Sequence, residues 1–124
     1  MPPAWMNAVI HDFGRSAGVE SLVLNERGTA VLRFENGSAL RLEYTDGELV
    51  VAMTVPSADV KRLLSLSHPK ARYAFRIKAG IMPNTHEGVM AVRFAERDVT
   101  LPRVSAAVDL LWRLARDIGG AEWA

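Results

Sequence analysis

The chain of 124 residues contains no cysteine. That excludes disulfides, thiolate chemistry and zinc–thiolate sites in one step. Aromatics are scarce, at 7%, and no window approaches the roughly 20 apolar residues that a membrane-spanning helix needs. Charge bias is also missing, since 15 Lys and Arg against 14 Asp and Glu leave a net +1. A nucleic-acid partner ordinarily asks for a stronger basic excess. The opening "MPPAWMNAVIHDF" has no basic n-region and no long apolar core, so no signal peptide is expected and the cytoplasm is the expected compartment.

Catalytic patterns are equally hard to find. The histidines, His11, His68 and His86, show no metal-ligand spacing. None of the serines sits on a nucleophile elbow, and no glycine-rich phosphate loop or dinucleotide fingerprint occurs. Carboxylates such as Glu43, Asp46, Glu87 and Asp98 fall on strand faces and turns, where solvation accounts for them. No enzyme activity, metal or cofactor is expected.

What is present is one domain, residues 1–124, with no repeat and no linker. A first helix opens near Pro2-Pro3 and sets Trp5, Met6, Val9, Ile10, Phe13 and Ala17 at helical spacing, up to a stop at Gly18. The interior Gly14 costs such a helix about 1 kcal/mol. A strand near Val19 to Leu24 comes next, then a meander from "GTAVLRF" to "VVAMTV". Ser57 is the expected N-cap of a short helix carrying Val60, Leu63 and Leu64, which "SHPK" breaks. Strand alternation then runs through "ARYAFRIKAGIM", followed by a strand in "VMAVRFA" and, as an optional third, a short one in "DVTL". From Pro102 a last helix aligns Val104, Ala107, Val108, Leu111, Ala115 and Ile118, with Gly119-Gly120 closing it. The expected fold is α+β: an antiparallel twisted sheet of five to six strands in the order α-ββββ-α-ββ(β)-α.

Register in the meander follows from loop length, because directly opposed residues share a face. A three-residue loop, Glu35 to Gly37, pairs Leu32 with Leu40 and Ala30 with Leu42. A two-residue Asp46-Gly47 turn pairs Tyr44 with Leu49, Leu42 with Val51 and Leu40 with Met53. Only that combination gathers the large apolar side chains on one side. The other face keeps Val31, Arg33, Arg41, Glu43, Val50, Ala52 and Thr54 and is half apolar. The basic positions Arg72, Arg76 and Lys78 are either a solvated face or a contact for acidic cargo.

The opening helix "WMNAVIHDFGRSAGV", the meander with its "FENGSAL" phrase, the short helix "SADVKRLLSL" and the closing "PRVSAAVDLLWRLARDIGG" together resemble the class I chaperones of type III secretion, the Tir chaperone family. The resemblance spans nearly the whole chain, which departs from the typically acidic family in its net +1. It implies a cytosolic homodimer that binds the N-terminal segment of a secretion effector and keeps it non-globular for export. It places the dimer interface at Val60, Leu63, Leu64 and Leu66, with Tyr73 and Phe75 behind, although the leucines also suit a monomer core. Candidate cargo contacts are Trp5, Val31, Arg33, Val50, Ala52, Arg72 and Arg76. The alternative is a small adaptor or regulatory module of the secretion system that binds a folded partner.

Overall fold

The computed structural model describes residues 2–35, 37–56, 58–68 and 73–118. Helix α1 (Ala4–Ser16) is followed by β1 (Thr29–Arg33), β2 (Ala39–Thr45) and β3 (Glu48–Val55). Then come the six-residue α2 (Val60–Ser65), β4 (Lys78–Ile81), β5 (Gly88–Ala95) and α3 (Leu101–Ile118). The five strands form one antiparallel sheet in the order β1-β2-β3-β5-β4. The α+β architecture with three helices stands, with fewer strands than the longest expectation.

Both turns take the lengths expected of them. Leu32 opposes Leu40, and Leu42 opposes Val51. Gly37 sits at φ 89°, and the Phe34 and Ser38 backbones close the bulged loop. Asp46 and Gly47 both have positive φ, 51° and 75°, as a tight primed turn requires. The inward side chains Leu40, Leu42, Leu49, Val51 and Met53 are buried, and all three helices lie on this face. Helix α3 packs on β3 and β5, α1 packs on α3, and α2 covers β4 and β5.

Three expected strands differ. The segment from Val19 to Leu24 joins no sheet, although Leu22 and Leu24 are buried alternately. It lies along α1 instead: the Val19 N–H donates to the Gly14 carbonyl, and the Leu24 N–H to Asn7 Oδ1 at 3.1 Å. Gly14 is therefore a close-approach glycine, since a Cβ there would stand 2.7 Å from the Leu22 Cβ. The strand through "ARYAFRIKAGIM" is only four residues long, beginning at Lys78. Its alternation further upstream records burial without pairing: Ile77 is buried and Phe75 packs edge-on against Phe94, ring centroids 5.5 Å apart. "DVTL" forms no strand: Asp98 ends a 3-10 turn, Glu96–Asp98, and Leu101 begins α3.

Helix α2 is capped by Asp59, whose carboxylate accepts from the Arg62 N–H. The expected cap, Ser57, and the expected stops at Pro69, Lys70, Gly119 and Gly120 lie outside the described residues.

Candidate functional site

An antiparallel sheet leaves two edge strands, and here the edges are unlike. In β1 the backbone alternation is fixed at both ends. The Phe34 N–H donates to the Ser38 carbonyl, and the Tyr44 N–H donates to the Gly28 carbonyl. Hydrogen-bonded pairs recur every second residue, so Ala30 and Leu32 also bond toward β2. The backbone groups of Thr29, Val31 and Arg33 consequently point out of the sheet. Asn25 satisfies those of Thr29, and Val31 and Arg33 form a ladder left open among the described residues.

Beneath that edge, on the helix-covered face, lies an apolar groove of about 220 Å³. Leu32, Phe34 and Leu40 form its sheet side, Phe13 and Val19 one wall, and Val108 and Trp112 of α3 the other. The Phe34 and Trp112 rings meet edge-on at 4.9 Å and 63°. This volume is below the range of ordinary small-molecule sites, roughly 300–1,000 Å³, and fits one or two apolar side chains. An open strand edge above such a groove is suited to holding an extended peptide. The backbone would be caught by the ladder, and alternate side chains would point inward.

The β4 edge is short and partly closed. The Met82 N–H donates to the Glu87 carbonyl, so Ala79 and Ile81 point outward, and Ser67 Oγ accepts the Ala79 N–H at 2.7 Å. Around it, Val60 and Leu64 of α2, Tyr73, Ile81 and Met82 are exposed. Leu63 and Leu66 are buried within the monomer. Leu63 lies over Gly88, where a Cβ would come within 2.8 Å of its Cδ2, so the glycine is what lets α2 approach β5.

The expected site residues are thus spread over several places. Leu66, Tyr73, Phe75 and Arg76 line one depression of about 250 Å³. Val31 and Arg33 belong to the β1 edge. Val50 and Ala52 are half-buried on the face without helices, two strands in from that edge. Trp5, 45% exposed, stands apart from the buried stripe of α1, beside Gly47, Glu96 and Arg97. Arg72 lies outside the described residues. Glu96, beside Trp5, accepts from the Tyr44 hydroxyl through Oε2 at 3.1 Å, and this bond raises the phenol above its ordinary pKa. The groove residues Phe13, Val19, Val108 and Trp112 were not singled out from sequence as a site. Phe13 and Val108 belong to the expected apolar stripes of their helices, and only their meeting with Val19 and Trp112 beside an edge strand makes a groove.

Among the described residues there is no cluster of three or more potential metal ligands, and no helix is long and apolar enough to cross a membrane. The model of the type III secretory system chaperone SycN family matches residues 5–119.

The chain belongs to that chaperone family.

Solved structures agree on the fold of this family member. It is similar to a chain of the ExsC–ExsE complex, with a TM-score of 0.75 and 20% identity over 90% of this chain and 89% of that one. It is also similar to a chain of the HopA1–SchA chaperone–effector complex, with a TM-score of 0.72 and 18% identity over 94% and 98%. A third is from the complex of the Yersinia pestis type III secretion chaperone SycH with a fragment of YscM2, with a TM-score of 0.72 and 14% identity over 92% and 99%. No curated protein matches the chain by sequence.

Proposed function

We propose that this protein is a non-enzymatic, cytosolic secretion chaperone that holds the N-terminal segment of an effector in extended form along β1. The carrying observation is the pair of outward-facing backbones at Val31 and Arg33 above the Phe34–Trp112 groove. One structural neighbour, a chain of the HopA1–SchA chaperone–effector complex, supports the same reading. Each ladder hydrogen bond contributes about 1 kcal/mol net, whereas an inward leucine contributes about 2. Sequence preference therefore resides in the groove and backbone capture in the edge. Ordering the segment costs several kcal/mol, so binding needs both. A segment held in this way cannot collapse onto its own core. The exposed side chains of Trp5 and Arg76 are further candidate contacts for the segment.

The working unit is a homodimer joined through α2 and the β4 edge. Val60, Leu64 and Tyr73 supply the contact, while Leu63, Leu66 and Phe75 support it from behind. A six-residue helix with two large exposed apolar side chains gains from such cover.

Val31→Pro tests the first half. It deletes an edge N–H that no strand of this chain uses, and proline is tolerated on such edges. Cargo peptide binding should fall at least about tenfold while the fold persists. Unchanged binding would remove the edge from the mechanism. For the second half, sedimentation should show a dimer at tens of micromolar that Leu64→Glu dissociates. A monomeric wild type would refute the dimer. Leu63→Glu is unsuitable for this purpose because Leu63 is core.

A further inference from the structure

The turn that leads into β1 is built like the turn that leaves it. After β1 the Phe34 N–H donates to the Ser38 carbonyl and the Gly37 N–H to the Phe34 carbonyl, with Gly37 at φ 89°. Before β1 the Asn25 N–H donates to the Thr29 carbonyl and the Gly28 N–H to the Asn25 carbonyl, both at 2.9 Å, with Gly28 at φ 77°. Each is the turn of a bulged hairpin. The later turn joins the paired strands β1 and β2, whereas the earlier one has a strand on one side alone. Its other arm, residues 19–24, parts from β1 after that opening bond and lies along α1.

The register of the unmade pairing is nonetheless fixed. With Asn25 opposite Thr29, Val23 would oppose Val31 and Ser21 would oppose Arg33. Val31 and Arg33 are the residues whose backbone groups point out of the sheet, so the hydrogen-bonding phase agrees. The faces agree as well. Leu24 and Leu22 would stand beside Ala30 and Leu32 on the inner side, where Leu22, Leu24 and Ala30 are already buried, while Val23 and Val31 are both exposed.

Three contacts hold the arm on α1. The Val19 N–H donates to the Gly14 carbonyl at 2.7 Å, the Leu24 N–H to Asn7 Oδ1 at 3.1 Å, and Leu22 packs where Gly14 lacks a Cβ. This path puts Ser21 at φ 61°, a left-handed conformation that a strand does not contain and that serine seldom takes. Pairing with β1 would return Ser21 to extended backbone.

We propose that residues 19–24 are a strap that closes on β1 as an added edge strand, in the register Val23–Val31 and Ser21–Arg33, and withholds that edge until another extended chain displaces it. Closure brings Leu22 beside Leu32 at the mouth of the apolar groove, so the ladder and the groove are taken together. It also spares the free protein an exposed edge. Closure itself needs no cargo; that it governs cargo uptake rests on the function proposed above.

Amide exchange on the free, full chain reads closure. Ser21→Val disfavours the left-handed backbone and Ser21→Gly accepts it, and the position is exposed, so neither disturbs the core. Exchange at Val31 and Arg33 should be about tenfold or more slower in Ser21→Val than in Ser21→Gly. Ala30 and Leu32, bonded toward β2, should exchange alike in both. Asn7→Ala, which releases the Leu24 amide, should act in the same direction as Ser21→Val. A cross-link reads the consequence. The chain has no cysteine of its own, and hydrogen-bonded partners stand about 5.5 Å apart, within disulfide reach. The oxidised double variant Val23→Cys, Val31→Cys should bind a fluorescein-labelled peptide copying residues 18–25 about tenfold or more weakly than its reduced form. Equal exchange at Val31 and Arg33 in the two Ser21 variants, or peptide binding indifferent to oxidation, would overturn the strap. Neither measurement involves an effector, so the strap and the cargo reading can fail separately.

Discussion

The two edges of the sheet are built from the same backbone pattern and end up with opposite properties. β1 presents backbone groups at Val31 and Arg33 that are unpaired among the described residues, over an apolar groove. β4 is four residues long, carries Lys78, has its Ala79 N–H taken by Ser67 and sits beneath α2. An exposed edge invites pairing with any extended chain, and short strands, lysines and covering elements are the usual means of blunting it. One edge is protected and the other left available. That asymmetry points to β1 for strand capture and leaves the α2–β4 corner to offer side chains rather than backbone.

The largest expected effect comes from removing what covers β4. Leu63→Ala empties a fully buried position under α2 and should destabilise the protein by about 2–5 kcal/mol in urea unfolding. A loss below about 1 kcal/mol would mean that α2 is not anchored there. Gly88→Ala pushes a Cβ against Leu63 and the Ala58 Cβ, at 2.8 and 2.9 Å, and should cost about 1–3 kcal/mol by lifting the same helix. Its signature is faster amide exchange in α2 with β1 unchanged. Ser67→Ala should lower stability by about 1 kcal/mol or less while exposing the Ala79 amide. Exchange at Ala79 that stays slow would show the β4 edge to be closed by something else, weakening the contrast with β1.

The smallest effect is expected at the Tyr44–Glu96 bond. The phenol pKa is raised in the folded protein, first by the hydrogen bond to Glu96, so its contribution is present below pH 10 and lost as pH rises through the higher folded value. Tyr44→Phe should therefore be nearly neutral at pH 7 and should flatten the decline of the urea midpoint above pH 10. An unchanged alkaline slope would dissociate the bond from stability.

Much of the fold was legible because its signals are local. "ENG" and "DG" fix the meander's register through loop length and positive φ, and the pairings of Leu32, Leu40, Leu42, Val51 and Met53 follow. The Val19–Leu24 and Tyr73–Ile77 segments misled because alternate burial looks the same with or without a hydrogen-bonded neighbour. Leu22 and Leu24 alternate against α1, and Phe75 and Ile77 against the core. The site was less legible than the fold. Val31 and Arg33 were marked for their side chains, yet the edge reading depends on their backbone direction. Leu63 and Leu64 are neighbours on one short helix, and only its docking on Gly88 separates core from surface.

By itself, then, the sequence determined the three helices, the turn lengths, the inward set of the meander and the lack of cysteine chemistry. These depend on spacing of 2 and 3.6 residues and on which residues accept positive φ. The tertiary structure decided which strand became an open edge, which leucine was buried, and that Phe13, Val19, Val108 and Trp112 meet Phe34. Those outcomes depend on contacts between residues far apart in the chain, which no local pattern encodes.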